Sequence, residues 1–123
     1  MSLVIQEMRK DYLYVKLVGN RNFFAEMLRG LCQLGALANG NSSKKILLDY
    51  SEVELNFSYY KSSIFRLLNV YENQLDNSKI VCLVINENYL EDGKLFISLC
   101  KSRGMNNEVF VSLKEAELWL KSL

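Results

Sequence analysis

The chain has 123 residues, of which 50% are hydrophobic and 24% are charged, with a formal net charge of +1 and with neither histidine nor proline. The missing histidine excludes a Ser-His-Asp or Cys-His relay and a His-ligated zinc site, and the near-zero charge argues against binding to nucleic-acid phosphates. The length predicts a single domain over residues 1–123 with one hydrophobic core.

The first two elements are predicted to be an antiparallel pair of strands. Residues Leu3–Met8 and Tyr12–Val18 are rich in β-branched and aromatic residues, and the polar stretch 9–11 between them has the length of a hairpin loop. The second strand alternates between an aliphatic face, Leu13, Val15 and Leu17, and a more polar face, Tyr12, Tyr14 and Lys16. This alternation predicts that only the aliphatic face is fully buried.

After the hairpin, predicted helices alternate with predicted strands. Apolar residues three and four apart indicate the helices, and short apolar runs indicate the strands. In chain order we expect a helix over about 22–38, a strand over 45–49, a linker over 50–57, a helix over about 58–75, a strand over 79–85, a helix over about 88–103, a strand over 108–111 and a helix that starts at Ser112. The order ββαβαβαβα predicts an α/β domain with a mixed, mostly parallel five-stranded sheet and four helices.

The cysteines and the apolar runs indicate the cellular environment. Cys32, Cys82 and Cys100 are odd in number, far apart and flanked by apolar residues, which predicts buried reduced thiols rather than disulfides or a metal site. The longest apolar run, 80–85, is far shorter than the roughly 18 residues of a membrane span, and the first residues lack the pattern of a signal peptide. We therefore expect a cytoplasmic protein without a membrane span, a metal or another cofactor.

Asp49 is the first candidate for a site. It follows a predicted central parallel strand, at the edge where open α/β sheets usually place their ligands. Such a carboxylate can act as a general base, contribute to a binding surface, or accept hydrogen bonds from nearby amides. Because no second group in the sequence forms an acid–base pair with it, we favour the last role and expect no enzymatic activity.

Ser58 and its neighbours are the second candidate. Ser58 falls where the second helix is predicted to begin, so its oxygen can cap the helix or carry a phosphate that the helix dipole tolerates. The aromatic residues Phe57, Tyr59 and Tyr60 can fill the core, line an apolar pocket or form a binding patch.

Two stretches of the sequence resemble a known family. The run Ile46–Ser51 with Val53, followed by a loop and a helix beginning near Ser58, resembles the central segment of STAS domains, the fold of the anti-sigma-factor antagonists. The run 108–120 resembles the last strand and helix of their SpoIIAA-like branch, which is sometimes grouped with lipid-carrier-like proteins.

This resemblance implies a non-enzymatic regulatory domain that binds a protein partner or a second copy of itself. In antagonists of the family, a serine at the amino end of the second helix is phosphorylated by a partner kinase, and the resemblance places that serine at Ser58. Phe57 replaces the family's preceding aspartate, and Tyr59 and Tyr60 replace small residues. These substitutions point to the alternative function, binding of an apolar, lipid-like small molecule at the aromatic residues.

Overall fold

Five strands and four α-helices lie in the part of the chain that the computed structural model describes, residues 3–9, 11–21, 24–40, 43–55, 64–75 and 78–123. The strands are β1 (Leu3–Met8), β2 (Leu13–Arg21), β3 (Lys45–Leu55), β4 (Ile80–Ile85) and β5 (Asn106–Phe110). The helices are α1 (Phe24–Asn39), α2 (Ile64–Gln74), α3 (Leu90–Ser102) and α4 (Leu113–Lys121), with a short 3-10 helix at Glu87–Tyr89.

The strands form one mixed sheet in the order β1-β2-β3-β4-β5. β1 is antiparallel to β2, and the other neighbouring pairs are parallel. Each parallel connection is therefore a crossover that carries a helix. The predicted α/β fold, with its mostly parallel five-stranded sheet, is confirmed.

Helices pack against both faces of the sheet. On the first face, α1, α2 and α3 bury alternate side chains of the strands, among them Leu13, Val15, Ile46 and Leu48. On the opposite face, which we call the α4 face, α4 packs on the other set of side chains. That cluster consists of Tyr12, Tyr14, Leu47, Cys82, Val84, Ala116 and Leu120.

The burial of β2 differs from the expectation. Tyr12 and Tyr14 are only 4% and 6% exposed, so both faces of this strand are buried near its start. The Tyr12 hydroxyl donates to Glu117 Oε1 at 2.9 Å, and the Tyr14 hydroxyl donates to Asp49. A tyrosine ring can be buried at low cost when its hydroxyl has such a partner, and the alternation of residue types alone does not reveal this.

β3 is longer than predicted and contains a bulge. It continues to Leu55, through residues that the sequence assigned to a linker. Lys16 of β2 pairs with Asp49 and Val18 pairs with Glu52, so β2 advances by two residues where β3 advances by three. One extra residue in one strand of a pair is a β-bulge, which locally bends the strand and changes the direction of its side chains.

Candidate functional site

The bulge gathers polar side chains on the α4 face, in the carboxyl half of β3. Asp49 precedes the bulge and receives a hydrogen bond from Tyr14 Oη at 2.5 Å. Glu52 follows the bulge, and its Oε2 lies 2.7 Å from Lys16 Nζ. Regular alternation would place residues 49 and 52 on opposite faces. The bulge therefore allows both carboxylates to meet the same row of β2 side chains.

Both oxygens of the Asp49 carboxylate are engaged within the protein. The residue is 4% exposed, and its Oδ2 accepts from Tyr14 Oη. Its Oδ1 accepts from the backbone N–H of Ser51 at 3.0 Å and from Ser51 Oγ at 2.6 Å. Asp49 thus accepts hydrogen bonds from a neighbouring residue, as the structural interpretation of the sequence predicted.

These hydrogen bonds keep Asp49 ionised. Burial by itself raises the pKa of the carboxyl, but the hydrogen bonds from Ser51 and Tyr14 outweigh burial and hold the pKa below its ordinary value. Burial, together with the hydrogen bond to Asp49, raises the pKa of Tyr14 above its ordinary value. A general base needs a pKa near the working pH and a lone pair that faces the substrate. Asp49 in this arrangement has neither property.

Charged side chains border this cluster on the side of the β1–β2 turn. Arg9 Nη2 lies 3.1 Å from Glu7 Oε2, and Arg9 Nη1 lies 3.4 Å from Glu117 Oε1. The Arg9 Cζ is 4.3 Å from the centroid of the Tyr14 ring. Arg9 and Glu117 are 108 positions apart, and no local pattern in the sequence relates them.

Four of the predicted site residues, Phe57, Ser58, Tyr59 and Tyr60, lie outside the residues that the structure describes. They belong to the connection between the end of β3 at Leu55 and the start of the described part of α2. Their roles as phosphate acceptor and as binding surface remain predictions.

The cysteines follow the prediction in part. Cys82 and Cys100 are buried, and burial raises the pKa of each thiol to about 12. Cys32 is exposed, which contradicts the expectation of three buried thiols.

Within the described ranges, no group of three or more Cys, Asp or Glu side chains is arranged to hold a metal ion. No helix in those ranges combines the length and apolarity that crossing a membrane requires.

The fold is similar to that of several solved structures. No family model and no curated protein matches the sequence. An anti-sigma factor antagonist from Mycobacterium paratuberculosis aligns with a TM-score of 0.68 and 15% identity, over 98% of this chain and 95% of that chain. The anti-sigma factor antagonist SpoIIAA in its unphosphorylated form aligns with a TM-score of 0.54 and 11% identity, over 98% of each chain.

A third solved structure extends the same similarity. It is an uncharacterized protein with a SpoIIAA-like fold from Shewanella loihica, with a TM-score of 0.56 and 17% identity, over 97% of this chain and 93% of that chain. The chain therefore has a SpoIIAA-like fold, and the resemblance found in the sequence is confirmed at the level of the fold.

Proposed function

We propose that this chain is a non-enzymatic regulatory domain that acts by binding a protein partner, and that phosphorylation of Ser58 controls this binding. The observation that carries the proposal is the alignment over 98% of this chain with an anti-sigma factor antagonist at a TM-score of 0.68. A second antagonist aligns over the same fraction of the chain. The role of Ser58 is carried over from the resemblance found in the sequence, which places the phosphorylated serine of the antagonists at this position.

The chemistry of the described residues supports binding rather than proton transfer. Each shifted pKa among them moves away from neutrality: that of Asp49 is lowered, and those of groups such as Tyr14, Cys82 and Lys16 are raised. A general acid or base is instead tuned toward the working pH. These groups therefore hold one protonation state near neutral pH, which suits a domain that works by contact.

Phosphorylation would change the charge of the β3–α2 connection strongly. A phosphate on Ser58 adds about −1.5 to −2 charges near neutral pH. It would stand a few residues after Glu52 and Glu54, which already carry negative charge. A partner surface that accepts the uncharged serine then meets a desolvation cost and added repulsion from any acidic groups that it carries.

The test is quantitative affinity purification of the tagged chain from the cells of its source organism. Four baits are compared: wild type, Ser58→Ala, Ser58→Asp and the control Ser98→Asp. Ser98 is an exposed residue on α3 whose Oγ donates to the Leu95 carbonyl, so the control adds the same charge elsewhere. We expect wild type, Ser58→Ala and Ser98→Asp to recover the same partner, and Ser58→Asp to recover at least about tenfold less, a loss of ~1.4 kcal/mol in binding.

Two results would contradict different parts of the proposal. Equal recovery by all four baits would exclude control through Ser58 but leave protein binding intact. Failure of wild type to enrich any protein above an unrelated bait of similar size would contradict the binding function itself. Native mass spectrometry of the purified chain tests the alternative partners predicted from the sequence, since a dimer doubles the mass and a lipid-like ligand adds a discrete increment.

A further inference from the structure

We propose that Arg9 and Tyr14 are positioning residues that couple α4 to the bulge of β3. A change at Glu117 on α4 then reaches the backbone amide of Ser51 through two side chains of the β1–β2 hairpin. The proposal rests on contacts among described residues and is independent of the proposed function.

The coupling begins at the Glu117 carboxylate. Its Oε1 accepts from Tyr12 Oη at 2.9 Å and from Arg9 Nη1 at 3.4 Å. The Glu117 side chain is 25% exposed, so solvent screens this pair less than a fully exposed one. Glu7 Oε2 lies 3.1 Å from the other terminal nitrogen, Arg9 Nη2. The guanidinium is thus held between two carboxylates, one on β1 and one on α4.

The Arg9 guanidinium lies over the ring of Tyr14 and restrains it. Its Cζ lies 4.3 Å from the ring centroid, within the distance of about 6 Å over which a cation attracts an aromatic face. Tyr14 is 6% exposed, so the ring is enclosed by protein. A guanidinium fixed above the ring restricts the ring's orientation, and with it the position of the phenol oxygen.

Hydrogen bonds through Asp49 link Tyr14 to Ser51. Tyr14 Oη donates to Asp49 Oδ2 at 2.5 Å, and Asp49 Oδ1 accepts from Ser51 N at 3.0 Å. Because the carboxylate is rigid, a shift of the phenol moves both oxygens together. Ser51 has no partner in the pairing register with β2 or with β4. The hydrogen bond to Asp49 Oδ1 therefore protects this amide from solvent exchange.

Packing of α4 on the sheet offers a competing explanation. Ala116 and Leu120 bury Leu47 and Cys82 on the same face, and loss of that packing would speed exchange throughout the sheet. The contacts through Arg9 predict a different pattern. The acceleration is confined to the amide at the bulge, and changes at Glu117 and Tyr14 are not additive because they interrupt the same path.

Amide hydrogen exchange of the full chain, followed residue by residue by NMR, tests the proposal. The Ser51 rate is compared with that of buried Val84 in wild type, Glu117→Ala and the control Glu115→Ala, an exposed residue of the same helix. We expect Ser51 exchange to be about threefold faster in Glu117→Ala and about tenfold faster in Tyr14→Phe, with the Val84 rate unchanged. The double variant should match Tyr14→Phe within about twofold.

Four results would overturn the coupling. These are an unchanged Ser51 rate in Glu117→Ala, the same acceleration in Glu115→Ala, an equal acceleration at Val84, and a double variant whose rate is the product of the two single effects. If Tyr14→Phe does not fold, Arg9→Gln replaces it in the cycle, because it removes the guanidinium and leaves the phenol in place. The same lack of additivity with Glu117→Ala is then required.

Discussion

Replacement of Asp49 by asparagine measures what the buried carboxylate contributes to stability. The carboxylate accepts three hydrogen bonds, from Tyr14 Oη at 2.5 Å, Ser51 Oγ at 2.6 Å and Ser51 N at 3.0 Å. An asparagine side chain has the same shape, but only one of its two terminal atoms accepts hydrogen bonds. If that oxygen stays on Ser51, the Tyr14 hydroxyl faces an NH2 group and loses its acceptor.

The expected loss follows from these contacts. A hydrogen bond to a charged group contributes about 1.5–3 kcal/mol, and the two bonds that remain on Ser51 become weaker, neutral ones. Removal of the charge also removes the cost of burying it, which offsets part of the loss. We expect Asp49→Asn to lower the free energy of unfolding by ~2 kcal/mol at pH 7.

Urea unfolding at neutral and at acid pH checks both the size and the sign of this effect. The pKa of Asp49 is lower in the folded chain than the ordinary value of 3.8, so its contribution is fully present above that value. The contribution is lost as pH falls through the folded-state pKa, and the difference between wild type and Asp49→Asn should shrink in acid. A difference below about 0.5 kcal/mol at pH 7, or one that grows in acid, would refute this reasoning. Glu91→Gln is the control, because that side chain is 90% exposed.

Two further predictions concern a helix contact and the thiols. Gly35→Ala should lower the Tm, because a Cβ at Gly35 would lie 2.9 Å from Gln74 Cβ and 3.0 Å from Gln74 O. Such overpacking costs about 1–3 kcal/mol of stability, and the better helix propensity of alanine offsets only about 1 kcal/mol of this cost. An unchanged or higher Tm would show that α1 and α2 adjust at little cost. N-ethylmaleimide should label exposed Cys32 in the native chain, but Cys82 and Cys100 only after unfolding, since burial raises the pKa of both to about 12. Mass spectrometry that finds label on Cys82 before unfolding would contradict this.

The sheet could be predicted because both faces of its central strands are buried, which requires continuous apolar runs in the sequence. Val81 and Ile85 of β4 pack under the first layer of helices, and Cys82 and Val84 pack under α4, so both faces of the strand require apolar side chains. The three crossover helices α1, α2 and α3 cover one face of the sheet, and α4 covers the other, so the central strands are enclosed on both sides. The continuous apolar run over 80–85 is the result of this burial on both faces.

The second half of β3 could not be predicted from the same pattern. Tyr50 and Val53 are both buried on the first face although they are three positions apart. That spacing contradicts the alternation of a regular strand, and the polar residues between them favour a linker. The bulge reconciles the spacing with a strand, but a bulge depends on pairing with β2, which no local sequence pattern reveals.

The reason for predicting a role for Asp49 still holds, although the predicted end of β3 at residue 49 was wrong. The sequence indicated an aspartate at the end of a strand, where a backbone amide leaves the ladder and needs a new acceptor. The strand in fact continues, but its register with β2 shifts at this point, and the amide that donates to Asp49 is that of Ser51. The need for an acceptor is therefore the same at a bulge as at a strand end. It follows that Asp49 marks where the pairing of β3 with β2 is interrupted, and that loss of its charge should loosen the bulge before it affects the ladder of β3 with β4.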